Sequence, residues 1–200
     1  MGPDEEGKAL ATPEYWDSRY AQSNGEDPTH EWFRSYEALE PFFKENLFAT
    51  KPPESQPKIV HLGTGDSTIP ADLAARGYTN QLCLDFSNTA LELMRARHAE
   101  EKGIEWRWAD VRAMEETVAS GSVDVAFDKG TLDAMIHGSP WSPPDQVLSD
   151  TSRYMREVRP FFCFVLPVFP INSAFLFYNP ALFPCVFSTI RTKPNSYSCL

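Results

Sequence analysis

The stretch IVHLGTGDST, residues 59–68, sets Gly63 and Gly65 one residue apart behind an apolar run and follows them with an acid and two hydroxyl residues. Such a turn lets backbone approach a ligand closely, and the helix that follows presents its first N–H groups to it. Asp85 comes about 20 residues later, at the end of the next apolar run, where a carboxylate can accept both hydroxyls of a ribose. Asp110 closes a further run and suits an acceptor for an adenine amino group. Asp128 and Lys129 close the run after that, beside the expected reacting end of a nucleoside ligand.

A dinucleotide would ask for G-x-G-x-x-G, whose third glycine allows tight helix packing. Position 68 is Thr68, which counts against NAD. Three strand-end acids in order favour S-adenosylmethionine, whose sulfonium and amino groups are positively charged. Each residue also has a plainer reading. Asp85 and Asp110 fit helix caps or turns, Lys129 a salt-bridged loop lysine, and His61 a satisfied strand histidine.

These residues need a frame that brings strand ends together. From Lys58 the chain alternates short apolar strands with amphipathic helices, the pattern of a parallel sheet with crossovers. KIVHL, QLCLD, IEWRWAD and SVDVAFD read as four strands ending near Leu62, Asp85, Asp110 and Asp128. STIPADLAAR is a helix with Asp66 or Ser67 as its cap and Gly77 as its stop. SNTALELMRARHAEE is a second, closing near Gly103. In DQVLSDTSRYMREV, Val147, Leu148, Thr151, Tyr154, Met155 and Val158 fall at helical spacing. Ahead of the sheet, TPEYWDSRYAQ reads as a helix capped at Thr12 with Trp16 and Tyr20 on one face, and those two aromatics would equally suit a core. HEWFRSYEALEPFFKENL follows as one or two helices with Phe33, Tyr36, Phe43 and Leu47 in a stripe. Trp106 and Trp108 on the third strand read as packing, and the loop residues His137 and Trp141 as candidates for a substrate entrance. The expected fold is therefore α/β, a Rossmann-like doubly wound, mostly parallel sheet with helices on both faces.

Two hundred residues suffice for one sizeable core. A formal charge of −10 repels phosphate backbones, so nucleic acid is not an expected partner. The same charge can draw a basic protein surface or simply be solvated. Cys83, Cys163, Cys185 and Cys199 have neither metal-site nor disulfide-framework spacing, so no metal is expected and a reducing compartment is. The N-terminus lacks a basic region and an apolar run, and Glu6 stands where a myristoylation signal wants Ser or Thr, so the cytoplasm is the expected location.

Taken together, EYWDSRY, HEWF, HLGTGDS, LDFS, ADVR and FDKGTLDA resemble the class I, seven-strand methyltransferases, in the methyltransferase-like group that modifies lysines of elongation factor 1-alpha. The resemblance covers residues 13 to 160, and DKGTLDA joined to YWDSRY is its most specific part. It implies that Trp16 and Tyr20 contact the cofactor from the N-terminal helix and that Gly63 approaches its methionine part. Asp85 with Phe86 would hold the ribose and flank the adenine, Asp110 and Val111 would border the adenine, and Lys129 would lie near the methionine end. It further implies transfer of a methyl group to the ε-amine of a protein lysine. A free lysine titrates near about 10.4, so the amine must lose a proton first. Asp128 and Asp133 are the candidates to receive it.

The composition changes near residue 160. Residues 161–190 carry no charged side chain, and residues 161–200 contain no acid. The chain thus divides into a methyltransferase core with N-terminal aromatic helices, 1–160, and a Phe/Pro-rich hydrophobic tail, 161–200. Where the resembled family has a Pro-Gly-Gly turn and further strands, this chain runs from EVRP into FFCFVLP, so the sheet is expected to be incomplete at its C-terminal end. Two alternatives follow. The chain is a truncated, catalytically impaired isoform that keeps the cofactor-site residues, or it is a methyltransferase-like protein held at a membrane by residues 161–190. Pro167, Pro170, Pro180 and Pro184 argue against a regular spanning helix there.

Overall fold

The computed structural model describes residues 3–22, 31–139, 141–159 and 165–167. The tail expected over 161–200 lies outside the described residues, apart from 165–167. Four short strands form the sheet's centre: β1 (Ile59–Leu62), β2 (Gln81–Asp85), β3 (Ile104–Trp108) and β4 (Val125–Asp128). A three-residue β5 (Val165–Pro167) adds to β4, with Ala126 opposite Val165. The order is β3-β2-β1-β4-β5 and every pairing is parallel. The winding reverses between β1 and β4, and in open sheets that reversal leaves a crevice outside the carboxyl ends of the strands.

Both faces are covered, so β1, β2 and β4 are buried along their whole length. Val60, Leu62, Leu82, Leu84 and Ala126 point to one face, where Val147, Tyr154 and Val158 of α7 (Asp145–Val158) meet them. Ile59, Val125 and Phe127 point to the other. There they meet Tyr36, Leu39 and Phe43 of α3 (Tyr36–Phe43) and Ile69 and Leu73 of α4 (Ile69–Ala75). On the same side Cys83 and Trp106 pack with Leu91 and Met94 of α5 (Asn88–Arg97).

Local structure departs from expectation where tertiary contacts override local signals. Phe33 is not part of the helical stripe. It precedes α3, is 41% exposed, and has φ of 62°, while Leu39 takes the buried place. After α3 the chain continues as a π-helical turn, Lys44–Phe48, which turns Leu47 inward. The cap position of α4 is Thr68, not Asp66 or Ser67, and α5 ends at Arg97, short of Gly103. Thr12 stands at the start of α2 (Pro13–Ala21), but its hydroxyl donates to the Ala9 carbonyl of α1 (Pro3–Leu10) at 2.8 Å. Neither α1 nor the single-turn α6 (Thr131–Ala134) is among the helices expected from the sequence. Trp106 is buried on the face of His98, whereas Trp108 is 53% exposed with its indole N–H on the Phe86 carbonyl. Among the described residues, no helix is long and apolar enough to cross a membrane.

Phe43 ties α3 to the sheet, its ring lying against Tyr36, Phe48 and Phe127 at centroid distances of 5.8, 6.1 and 5.3 Å. Phe43→Ala is expected to cost about 3–5 kcal/mol in urea unfolding, and a change below about 1 kcal/mol would contradict this packing.

Candidate functional site

A single cleft at the carboxyl ends of β1, β2 and β4 is lined by Trp16, Tyr20, Gly63, Gly65, Asp85, Phe86, Asp110, Val111 and Lys129. These nine, singled out by type and spacing or by resemblance, come from five separate segments. Asp128 and Asp133 are not among its lining residues, nor are His137 and the 82%-exposed Trp141.

The glycine turn is shaped by its protein neighbours. Gly63 and Gly65 have φ of 65° and 53°, a region that side chains avoid. A Cβ on Gly63 would stand 2.1 Å from Oγ1 of Thr131, and one on Gly65 would stand 2.5 Å from the Tyr20 hydroxyl. Both missing side chains therefore make room for the walls of the cleft. Thr131 fills its space by donating a hydrogen bond from Oγ1 to the Leu62 carbonyl at 2.7 Å.

Asp85 fixes the other side of the turn. Its Oδ2 accepts the Gly65 N–H at 2.7 Å, and its Oδ1 accepts the Ser87 N–H at 2.8 Å. Its pKa is raised to about 6, chiefly by burial, with the N–H groups of Ser87, Gly65 and Phe86 opposing and nearby Asp17 adding to the rise. A carboxylate has about four acceptor sites, so capacity remains beside the backbone donors for a ligand hydroxyl. Tyr20 is held neutral in the same place, since burial first and then the charges of Asp85 and Asp66 push its phenol well above the ordinary value. Trp16 stacks on Tyr20 at 5.8 Å and is anchored by its indole N–H to the Leu10 carbonyl at 2.7 Å. Asp17, on the same helix, accepts the Ser87 hydroxyl at 2.5 Å, so α2 is pinned to the loop after β2.

Phe86, Ala109 and Val111 give the next part of the cleft an apolar surface. Asp110 lies there, clasped by Arg112 through Nε and the guanidinium nitrogen at 2.8–3.1 Å. Burial pushes the Asp110 carboxyl up, but the Arg112 hydrogen bonds and charge outweigh this and hold it below the usual carboxylate range.

At the end of β4, Asp128 accepts four hydrogen bonds. Oδ1 takes the N–H groups of Gly130 and Thr131 at 2.8 and 2.9 Å; Oδ2 takes the Leu132 N–H at 3.1 Å and the Tyr154 hydroxyl at 2.6 Å. Asp133 is partly buried on α6. Lys129 turns toward the N-terminal segment, where its ammonium meets Glu31 at 2.5 Å and donates to the Trp32 carbonyl at 2.8 Å. Glu31 also accepts the Ser67 hydroxyl at 2.9 Å and the Thr68 N–H at 3.3 Å. Glu31, Trp32 and Thr131 are thus site residues that spacing did not single out, although HEWF and DKGTLDA contain them.

His61 is buried at the floor. The Gln81 amide donates to the carbonyls of Pro70 and Tyr78, both at 2.8 Å, so its oxygen must receive the His61 Nε2–H at 2.7 Å. Burial pushes the imidazole pKa down to about 4, with Gln81 partly opposing, and the ring stays neutral. His61 thereby joins β1 to the first turn of α4 as a hydrogen-bonding strut.

Asp128 offers a pH test. Burial, opposed by Tyr154 and the three backbone donors, raises its pKa in the fold. Its favourable contribution is present below the unfolded value near 3.8 and is lost as pH rises through the folded value. Tyr154→Phe removes a partner of the ionised form, so its cost, about 2 kcal/mol, should grow in thermal unfolding as pH rises above the unfolded value near 3.8 and the carboxyl ionises. A cost that shrinks over that range would contradict the arrangement.

Comparison with known proteins adds relatives to this geometry. The chain matches no family model. It is 34% identical over 151 residues to EEF1A lysine methyltransferase 4 of Mus musculus and 33% identical over 153 residues to that of Bos taurus. Each match covers 71% of this chain, which spans 56% of the relative's length. A solved structure concerned with conversion of a disulfide bond into a thioacetal group during echinomycin biosynthesis is 21% identical, with a TM-score of 0.48, covering 74% of this chain and 55% of that one. On its sheet order, its strand-end cleft and its sequence relatives, the chain is similar to the class I methyltransferases, and to the elongation factor 1A lysine methyltransferases among them.

Proposed function

We propose that the chain is an S-adenosylmethionine-dependent methyltransferase that modifies the ε-amine of a lysine in a translation elongation factor, elongation factor 1-alpha, in the cytoplasm. The observation that carries the cofactor part is Asp85, whose buried carboxylate holds the glycine turn and stands at the cleft wall. The donor and acceptor set fits the group. Asp85 suits the ribose hydroxyls, Phe86 and Val111 the flat base beside Asp110, and the Gly63 loop with Lys129 the amino-acid end. The names of the relatives support the protein-lysine part.

When bound, the cofactor supplies an electrophilic methyl group on a sulfonium. The chain's own task is then to align a neutral amine and exclude water, which Trp16, Tyr20 and Trp32 do as the apolar wall of the cleft. An apolar surround also lowers the pKa of the incoming amine. Neither Asp128 nor Asp133 lines the cleft, so water takes its proton, while Asp128, already accepting four hydrogen bonds, holds the loop of Lys129 and Thr131 in place. In this reading residues 1–160 are the catalytic core and 161–200 an atypical tail.

Calorimetry with S-adenosylmethionine on the full chain tests the cofactor assignment. Asp85→Ala should weaken binding by about 100-fold or more, the worth of two hydrogen bonds to a carboxylate, and unchanged affinity would remove the assignment. Because ribose hydroxyls donate to the ionised form, wild-type affinity should fall as pH drops through about 6. Radiolabelled methyl transfer to elongation factor 1-alpha tests the substrate. Cofactor binding without transfer would favour an impaired isoform that retains the cleft.

A further inference from the structure

We infer that Glu31 is a selectivity residue of the cleft: by cancelling the charge of Lys129 at the transfer end, it lets that end prefer a sulfonium cation over the neutral thioether left after transfer. The inference rests on the cofactor reading above.

Lys129 lines the cleft with its side chain only 7% exposed, so its ammonium has little water to offset its charge. A buried cation of this kind requires a counter-ion. Glu31 provides it from the N-terminal segment, at 2.5 Å from Nζ. The carboxylate is held for the purpose, since Ser67 and the Thr68 N–H occupy further acceptor positions. A Cβ on Gly130, next to Lys129, would stand 2.4 Å from Cδ1 of Trp32, so the indole rests directly on this backbone. Trp32 in turn meets Trp16 edge-on at 5.7 Å. Aromatic faces attract cations. With the ion pair intact, this end of the cleft presents rings and a neutralised lysine; without Glu31 it presents a buried positive charge.

A positive charge at the transfer end repels a sulfonium and leaves a thioether almost unaffected, whereas a merely structural role for Glu31 would weaken both ligands alike. At the effective dielectric of a protein site, the difference amounts to about tenfold or more in affinity. The test is calorimetry of S-adenosylmethionine and S-adenosylhomocysteine on the full chain and three variants. Glu31→Gln keeps the acceptor for Ser67 and should weaken the sulfonium form about tenfold more than the thioether. Lys129→Met leaves the carboxylate uncompensated and should shift the ratio the opposite way. The double variant should return it to the wild-type value, and this holds as a test even where Glu31→Gln alone fails to fold. Equal losses for both ligands, a Lys129→Met shift of the same sign, or a double variant that keeps a disturbed ratio would overturn the inference. Failure of the wild-type chain to bind either nucleoside would instead remove the cofactor reading beneath it.

Discussion

A carboxylate taken out of water is costly unless its lone pairs are filled, and this constraint organises the cleft. At the ends of β2 and β4 the chain buries Asp85 and Asp128 and satisfies them with N–H groups of the loops that follow. Each carboxylate therefore dictates a loop conformation. Asp85 reaches across to Gly65 and closes the turn after β1; Asp128 starts α6 and brings Thr131 against Gly63. The two acids hold three strand ends in mutual register, and both are raised in pKa by the burial that makes them effective. The glycines follow from this, because only a residue without Cβ fits between those loops.

The strands and the longer crossover helices were legible because their signals are local. QLCLD alternates its faces and ends in an acid, and DQVLSDTSRYMREV carries its apolar stripe through to Val158, so β2 and α7 follow the pattern residue for residue. Seven of the nine cleft residues were legible because a parallel sheet puts successive strand ends on one side, whereas Trp16 and Tyr20 came from the N-terminal aromatic motif. What escaped was set by contacts between distant segments. Phe33 lies on the expected stripe by spacing, yet the Glu31–Lys129 pair and the seat of Trp32 on Gly130 hold that segment in a non-helical path. Similarly, Asp66 and Ser67 look like caps, but Ser67 is engaged by Glu31, 36 positions earlier, and α4 begins later. No window of sequence contains both partners.

His61 illustrates how a residue can be legible in type and not in role. At the end of a strand, two positions before a glycine turn, an imidazole reads first as a satisfied strand histidine and only second as a base or ligand. The Gln81 amide decides the matter by geometry. With both its donors spent on carbonyls, its oxygen requires a proton from Nε2, which fixes the tautomer; burial then keeps the ring neutral. The network runs from β1 through Gln81 to Pro70, so it supports the α4 side of the glycine turn while Asp85 and Thr131 support the others.

The same logic extends to charge. Asp110 is clasped by Arg112, and Lys129 is matched by Glu31, so two of the acid and base side chains that line the cleft are neutralised inside the protein. Asp85 differs, since backbone N–H groups, and not a cation, hold its charge. Backbone donors stabilise an anion without cancelling it, which leaves a net negative centre in a cleft with low-dielectric walls. Such a centre draws a cation or hydroxyl donors. The cleft is therefore suited to a nucleoside that carries positive charge, and that preference arises from where the chain places the partners of its cations as much as from where it places acids.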